Sequence, residues 1–278
     1  MENNSFQQWI LAIHMVLTVF HVTLGAVQDC PLSCECSILT VANKSGVNIV
    51  CTGFTQITAS FPVNTVRLEL RDSQFDGIPI NAFLKLDSLR TLVFNKTELG
   101  TIRACSLAEF KDMDAIEFER SAISLIEGNA FSNLENIGRI SFREGNIREI
   151  MSFAFHNLTQ IGALEFTNTN ITYIHRFAFR KMNNVGQISF SHSAIDSFLG
   201  SGFSLVSNIS VATFDNVRFE TLQCDTLETL AKTADRTRMS NLTFTCNCNL
   251  AWMWREFKDD NETNRESPFT HGNGKTCN

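Results

Sequence analysis

The amino-acid sequence predicts a solenoid, a fold in which short strands from successive coils stack into a parallel sheet. Three observations predict it. Pairs of apolar residues two positions apart recur at a constant step of 24 residues. Phenylalanine is in excess, with 24 Phe beside a single Tyr, and eleven of these Phe fall into two columns of the same period. Most of the nine cysteines gather towards the two ends of the chain, as the cysteines of disulfide-bonded caps would.

Seven copies of the repeat keep one register along the chain. Their apolar pairs are Leu68/Leu70, Leu92/Phe94, Ile116/Phe118, Ile140/Phe142, Leu164/Phe166, Ile188/Phe190 and Ala212/Phe214. A pair two residues apart places both side chains on one face of a short strand. Because one coil cannot bury that face alone, neighbouring coils must stack. We therefore expect the two Phe columns to form buried stacks rather than a ligand-binding aromatic box.

The repeat resembles the extracellular type of leucine-rich repeat, L-x-x-L-x-L-x-x-N-x-L continued by an A-F-x-x-L segment, over residues 65–232. This resemblance implies an α/β-type solenoid, mainly β, shaped as a horseshoe with strands on the concave face and an irregular convex side. The Asn of the family motif is missing. Its column reads Ser73, Thr97, Ser121, Gly145, Thr169, Ser193 and Val217. Hydroxyl groups bond to backbone more weakly, so we expect a less regular turn that includes water.

The first cysteines follow the pattern C-P-x-x-C-x-C, with a fourth Cys after fourteen further residues. The pattern resembles the N-terminal cap of extracellular leucine-rich repeat proteins, including the Slit-like and small proteoglycan groups. The resemblance implies the disulfides Cys30–Cys36 and Cys34–Cys51. A zinc site is the competing interpretation of this spacing. It is disfavoured because a secreted chain favours disulfides and no His lies nearby in the sequence.

The segment LTFTCNCNLAWMWREF resembles the C-terminal cap of the same family, whose mark is C-x-C-x-L-x-W. It implies disulfides among Cys246, Cys248, Cys277 and a fourth partner, for which we take Cys224. Met239, Leu242 and Phe244 repeat the strand spacing 30 residues after the seventh repeat, which predicts a shortened eighth strand directly before Cys246. The longer step predicts extra, helical structure within residues 223–238.

Cys105 is left without a partner by these assignments, and it falls in a turn of the second repeat. Three interpretations remain open. A buried free thiol is the default for a lone Cys. A disulfide to a second chain would make an oligomer and is not favoured. An incorrect assignment of Cys224 is the third.

The chain is expected to divide into a signal peptide at residues 1–26, an N-terminal cysteine-rich cap at 27–64, seven leucine-rich repeats at 65–232, and a partial eighth strand with a C-terminal cap at 233–278. The apolar run Trp9–Leu24, followed by Gly25 and Ala26, indicates a cleaved signal peptide. It is short for a membrane anchor, which needs about 20 apolar residues. The end of the sequence carries no apolar tail, so we expect a released protein.

Seven N-x-S/T sequons beyond the expected signal peptide agree with a secreted glycoprotein. They begin at Asn43, Asn95, Asn157, Asn170, Asn208, Asn241 and Asn261. Asn95 belongs to the strand column that should face the concave side, so a glycan there would obstruct the second repeat.

The sequence does not indicate a catalytic site, because it contains no G-x-S-x-G elbow, phosphate-binding loop or H-E-x-x-H motif. We expect no enzyme activity, cofactor, metal or membrane insertion. The formal charge of −6 does not suggest a nucleic-acid partner. An acidic run at residues 259–262 is read as solvated surface rather than a cation site.

The resemblance implies that the concave face binds an extracellular or cell-surface protein. We expect the contacts in repeats three to five, around Glu117, Glu119, Arg139, Arg143 and Glu165. Two alternatives stay open: a structural matrix component of small-proteoglycan type, and the ectodomain of a membrane receptor that lacks its anchor.

Overall fold

The chain winds into a β-solenoid in which successive coils add strands to two sheets. This computed structural model describes residues 30–41, 44–57, 61–223 and 225–244. The first sheet has eleven strands: β1 (Cys34–Val41), β2 (Lys44–Thr52), β3 (Thr65–Arg71), β5 (Thr91–Asn95), β7 (Lys111–Glu119), β9 (Phe131–Arg143), β11 (Phe155–Thr167), β13 (Phe179–Ser191), β15 (Phe203–Ser204), β16 (Ser207–Asp215) and β18 (Ala234–Ser240). The second sheet has eight: β4 (Gln74–Ile78), β6 (Glu98–Ile102), β8 (Ala122–Ile126), β10 (Asn146–Ile150), β12 (Asn170–Ile174), β14 (Ala194–Phe198), β17 (Arg218–Leu222) and β19 (Thr243–Phe244). The helix α1 (Glu228–Thr233) lies between β17 and β18.

Coils that are adjacent in sequence are adjacent in both sheets. The first sheet runs β1-β2-β3-β5-β7-β9-β11-β13-β16-β18, with β15 beside β13, and the second runs β4-β6-β8-β10-β12-β14-β17-β19. The hairpin of β1 and β2 is antiparallel, whereas the strands of successive coils pair in parallel. Phe142 lies opposite both Phe118 and Phe166, so the paired residues are one repeat apart. The predicted solenoid with coils of 24 residues is confirmed.

Two stacks of phenylalanine rings fill the core. The stack from the strand pairs runs through Phe94, Phe118, Phe142, Phe166, Phe190 and Phe214, with ring centroids 4.7–5.4 Å apart. The stack from the A-F column runs from Phe131 to Phe203, with centroids 4.8–5.1 Å apart. The two stacks meet edge to face, as at Phe142 and Phe155, 6.1 Å apart. Offset stacking and edge-to-face contact are the favourable aromatic geometries, and these rings are buried.

Each coil turns at a residue with left-handed backbone directly after its first-sheet strand. This column has φ between 46° and 54° and comprises Asp72, Lys96, Arg120, Glu144, Asn168, His192 and Asn216. The left-handed conformation is strained for residues other than glycine. In compensation, each backbone N–H donates to a carbonyl oxygen of the following coil, as Glu144 does to Thr167 at 3.0 Å. The corner therefore adds a hydrogen bond between coils where the sheet ladder ends.

The next turn position is held by hydroxyl groups where the family motif has Asn. The Ser121 hydroxyl lies 2.9 Å from the Glu119 carbonyl oxygen and 3.2 Å from the Phe94 carbonyl oxygen, and it accepts the Thr97 N–H at 3.1 Å. Equivalent bonds to backbone groups are made by Ser73, Thr169 and Ser193. The turn is therefore more regular at these positions than we expected, because a short hydroxyl side chain reaches backbone groups of two coils at once.

The segment that the resemblance places on the convex side is more regular than predicted in the middle coils. There β9, β11 and β13 run for 13 residues each, from the A-F column through to the buried pair, so strand replaces the expected irregular segment. A glycine column allows the coils to approach at the bend of these strands. A Cβ at Gly162 would lie 2.3 Å from the Gly138 carbonyl oxygen, and one at Gly186 would lie 2.5 Å from that of Gly162.

The eighth coil has a different register from the predicted one. Met239 lies opposite Phe214 and Thr237 opposite Ala212, so this coil is one residue longer than the others. The buried pair is therefore Thr237 and Met239, both at most 4% exposed. Phe244, which was expected in the pair, lies opposite Phe219 in the second sheet. The predicted register was wrong because the first member of the buried pair, Thr237, is polar and does not match the apolar pattern. Its hydroxyl lies 3.5 Å from the Ala231 carbonyl oxygen. The expected helical structure is confirmed in α1.

The N-terminal disulfides Cys30–Cys36 and Cys34–Cys51 are both present, as the resemblance implied. The other four cap cysteines, Cys224, Cys246, Cys248 and Cys277, lie outside the described residues. Cys105 is a free thiol, but it is exposed, so the default interpretation of a buried thiol is wrong. It occupies a corner with φ of 58°, and the left-handed backbone there belongs to the outside of the coil.

The phenylalanine stack predicts a large cost for removing one ring from its centre. Phe142→Ala should lower the free energy of unfolding by about 3–5 kcal/mol, since it leaves a cavity between Phe118 and Phe166. Chemical denaturation monitored by circular dichroism measures the loss. Phe177→Ala is the control, because that ring is 39% exposed. Equal losses in the two variants would contradict the proposed role of the stack.

The hydroxyl column makes a second stability prediction. Ser121→Ala should lower the free energy of unfolding by about 1–3 kcal/mol, because the Thr97 N–H then loses its acceptor inside the protein. The matched control is Ser124→Ala in the neighbouring strand β8, whose side chain is exposed. It should change stability by no more than about 0.5 kcal/mol. If both variants unfold at the same denaturant concentration as the unsubstituted chain, the turn does not depend on the hydroxyl.

Candidate binding surface

The outer face of the first sheet consists of the side chains that flank the buried pair in each strand. In β9, these are Arg139, Ser141 and Arg143, which alternate with buried Ile140 and Phe142. Parallel pairing in register extends each position into a column across the coils. The face therefore carries three columns of side chains on a backbone that hydrogen bonds fix on both sides.

The five residues predicted for partner binding come together on three adjacent strands. Glu117 and Glu119 belong to β7, Arg139 and Arg143 to β9, and Glu165 to β11. The Arg139 guanidinium donates to the Glu117 carboxylate, and that of Arg143 lies 3.3 Å from Glu165. The two arginine side chains are 42% and 41% exposed. Such partly exposed cross-strand pairs contribute little to stability but set the pattern of charge that a partner meets.

A second charge cluster lies at the start of the same face. Arg71 donates to one Glu69 carboxylate oxygen at 2.7 Å and Arg67 donates to the other at 3.2 Å. Burial alone would raise the pKa of the Glu69 carboxyl. The hydrogen bonds and positive charges of Arg71 and Arg67 outweigh burial and hold this pKa below its ordinary value. Glu69 is thus a buried carboxylate, neutralised by two arginines, rather than a free contact for a partner.

The sequon at Asn95 lies within this cluster. The Asn95 amide nitrogen is 3.5 Å from Glu69, and its oxygen accepts a bond from Arg120 at 3.2 Å. Four other sequon asparagines are exposed: Asn157, Asn170, Asn208 and Asn241. The amide nitrogens of the first three donate to asparagines of the preceding coil. Asn43 and Asn261 lie outside the described residues.

Two residues of the outer face were missed by the sequence analysis. Arg236 and Arg238 flank buried Thr237 in β18, so both side chains emerge on the outer face. With the predicted register of the eighth coil, they appeared to precede the strand. The signal that could have located them is the pair Thr237 and Met239, at the strand spacing but with one polar member. Both arginines line an open cleft of about 560 Å³.

The described histidines belong to no metal-binding group, and His156 and His175 have different surroundings. His175 bonds to Glu149 at 2.7 Å, whereas His156 packs edge to face on Phe153. Burial, and next the charges of Lys181 and Arg180, lower the pKa of His156. Across residues 30–244, apart from the gaps in the described chain, no cluster of three or more His, Cys, Asp or Glu could hold a metal. No helix among the described residues is long and apolar enough to cross a membrane.

Comparison with known proteins agrees with the observed coils. Residues 76–210 match six copies of the family model described as BspA type Leucine rich repeat region. No curated protein matches the chain. Among solved structures, human 5T4 (Wnt-activated inhibitory factor 1, Trophoblast glycoprotein) matches with 16% identity and a TM-score of 0.46, covering 83% of this chain and 87% of that one. The repeat match and the 24-residue coils together confirm the predicted leucine-rich repeats over these residues.

The Glu69 cluster predicts a specific dependence of stability on pH. Its carboxyl pKa lies below the ordinary value of 4.5, so folding favours the ionised form. The stabilisation is complete above that ordinary value and is lost as the pH falls through the lower folded pKa. Glu69→Gln should cost about 1–2 kcal/mol at neutral pH, and the difference from the unsubstituted chain should shrink in acid.

The measurement is chemical denaturation of both proteins at a series of pH values from neutral to strongly acidic. Glu98→Gln is the control, since that carboxyl is exposed on the second sheet. A difference between Glu69→Gln and the unsubstituted chain that stays constant down to the lowest pH would contradict the assignment.

Proposed function

We propose that this chain, a leucine-rich repeat protein, is an extracellular module that binds a protein partner through the outer face of its first sheet. The partner is an extracellular or cell-surface protein, and the binding residues are Glu117, Glu119, Arg139, Arg143 and Glu165. One observation carries the proposal. Strands β7, β9 and β11 present these five charges side by side on a sheet whose backbone is fixed in register.

Preorganisation explains why such a face suits protein recognition. When a partner docks on parallel strands, little conformational entropy is lost in ordering the backbone of this chain, so more of the contact energy appears as affinity. Alternating acidic and basic side chains favour a partner with the complementary pattern and penalise one with like charges opposite. The charges pair within the face, which holds the side chains in place before a partner arrives.

Secretion is part of the proposal and rests on independent features. The two N-terminal disulfides require an oxidising compartment to form and persist. Four sequon asparagines project from the described surface, where glycosylation enzymes could reach them. We propose a signal peptide at residues 1–26, an N-terminal cysteine-rich cap at 27–64, seven repeats at 65–232, and a partial eighth strand with a C-terminal cap at 233–278.

Charge reversal tests the binding face directly. A partner is first captured from extracellular and cell-surface proteins with the purified, glycosylated chain. Glu119→Lys and Arg143→Glu should each weaken its binding by about tenfold or more, because a favourable charge contact becomes a repulsion. Surface plasmon resonance at two salt concentrations measures the affinity and the association rate.

The control reverses an exposed pair on the second sheet. Arg218 and Glu220 lie 2.6 Å apart with side chains 55% and 56% exposed, so Arg218→Glu with Glu220→Lys changes charge off the binding face. This control should bind as the unsubstituted chain does. Unchanged affinity in Glu119→Lys and Arg143→Glu, with melting temperatures also unchanged, would refute the proposed face.

A further inference from the structure

The arginines of the outer face fall into two groups that differ in their pairing. In the coils up to β11, Arg67, Arg71, Arg120, Arg139 and Arg143 each lie within 4 Å of a carboxylate oxygen on the same face. Arg236 and Arg238 in β18 have neither an ion pair nor a hydrogen bond to any residue that the structure describes. Within the part of the chain that the structure describes, the last strand of the sheet therefore presents two arginines without an ionic partner.

These two guanidinium groups border a polar cleft. In register across three strands, Gln187, Val211 and Arg236 form one row, and Ser189, Thr213 and Arg238 form the next. The cleft has a volume of about 560 Å³, within the range of roughly 300–1,000 Å³ that is typical of ligand sites. That volume is enough for a few residues of a peptide.

The floor of the cleft is rich in hydroxyl groups. The Ser189 and Ser191 hydroxyls lie 3.1 Å apart. The Ser240 hydroxyl donates to the Asp215 carboxylate, and both residues line the cleft. Hydroxyl groups donate and accept, so this floor can bond to the backbone amides of a bound segment while the arginines bind its acidic groups.

The arginines select an anionic group, and a guanidinium binds a carboxylate with two parallel hydrogen bonds. Asp215 argues against a uniformly anionic polymer, since its carboxylate on the same floor would repel a chain of sulfates. A protein segment that carries acidic side chains among neutral or basic ones fits the arginines, the hydroxyls and the aspartate together. The cleft thus favours a peptide over a sulfated glycan.

We propose that the cleft of β13, β16 and β18 is an anchoring site for an acidic peptide segment, in which Arg236 and Arg238 bind Asp or Glu side chains of the partner. The inference rests on the proposed function for its assumption that the ligand is a protein. The site itself is separate, because the charge pairs around Glu117 and Arg143 belong to earlier coils.

Fluorescence anisotropy with labelled probes tests the site on the full chain. Three probes are used. The first is a short peptide in which Glu or Asp alternates with Ser, and the second is the same peptide with Gln and Asn in place of Glu and Asp. The third is a heparin-derived oligosaccharide. The acidic peptide should bind, more weakly as salt increases, and the neutral peptide should not. Arg236→Gln and Arg238→Gln should each weaken binding by about tenfold, because each removes a charge-assisted bidentate contact.

Arg218→Gln is the matched control, since that arginine is exposed on the second sheet of the preceding coil and should leave peptide binding unchanged. Melting temperatures of all variants verify folding. Acidic-peptide binding that survives Arg236→Gln combined with Arg238→Gln would overturn the proposal. Arginine-dependent binding of the heparin oligosaccharide without binding of the acidic peptide would overturn it too, in favour of a glycan site.

The two proposals fail in distinguishable ways. Loss of peptide binding in the Arg236 and Arg238 variants, with partner affinity unchanged by Glu119→Lys and Arg143→Glu, would support the cleft and refute the proposed central face. The reverse pattern would support the central face and refute the cleft.

Discussion

Stacking of phenylalanine rings between coils is the interaction on which the rest of the structure depends. Their centroids lie 4.7–5.4 Å apart in the main stack, which matches the spacing of about 4.8 Å between paired strands. Each ring therefore lies directly over the next only if every coil has the same length and register. Ring stacking and strand pairing reinforce each other, and a coil that slipped by one residue would lose both.

The binding surfaces follow from that constraint. A core that fixes register also fixes the outward side chains, so Glu117 and Arg139 meet across strands without help from a partner. Because the scaffold is held by the buried positions, the outer columns are free to vary in charge. Here, the middle coils carry paired charges of both signs, and the last described strand of the sheet carries two arginines that have no ion pair with any residue the structure describes. The outward residues thus give the face a central region in which acidic and basic side chains pair, and a cleft at its end that is lined by two arginines.

Periodicity was sufficient to predict the coils, the ring stacks and the neighbouring positions of the five central charges, since all of these depend on spacing. It did not reveal features that depend on local chemistry. Because Thr237 is polar, the eighth buried pair did not stand out as an apolar pair, and Arg236 and Arg238 were not assigned to the outer face. The Thr237 hydroxyl is bonded within the eighth coil. The exposure of Cys105 depends on a left-handed corner that its residue type does not signal. Ser121 bonds two coils at once, which required the distances between coils.

The central claim is that the outer face of the first sheet is the surface that contacts a partner. Hydroxyl-radical footprinting of the chain, alone and bound to its captured partner, tests that claim directly. The account predicts reduced modification of side chains on β7, β9, β11 and β18, with Tyr173 on the second sheet equally reactive in both states. Protection of Tyr173 and the second sheet, with the outer face of the first sheet unprotected, would contradict it.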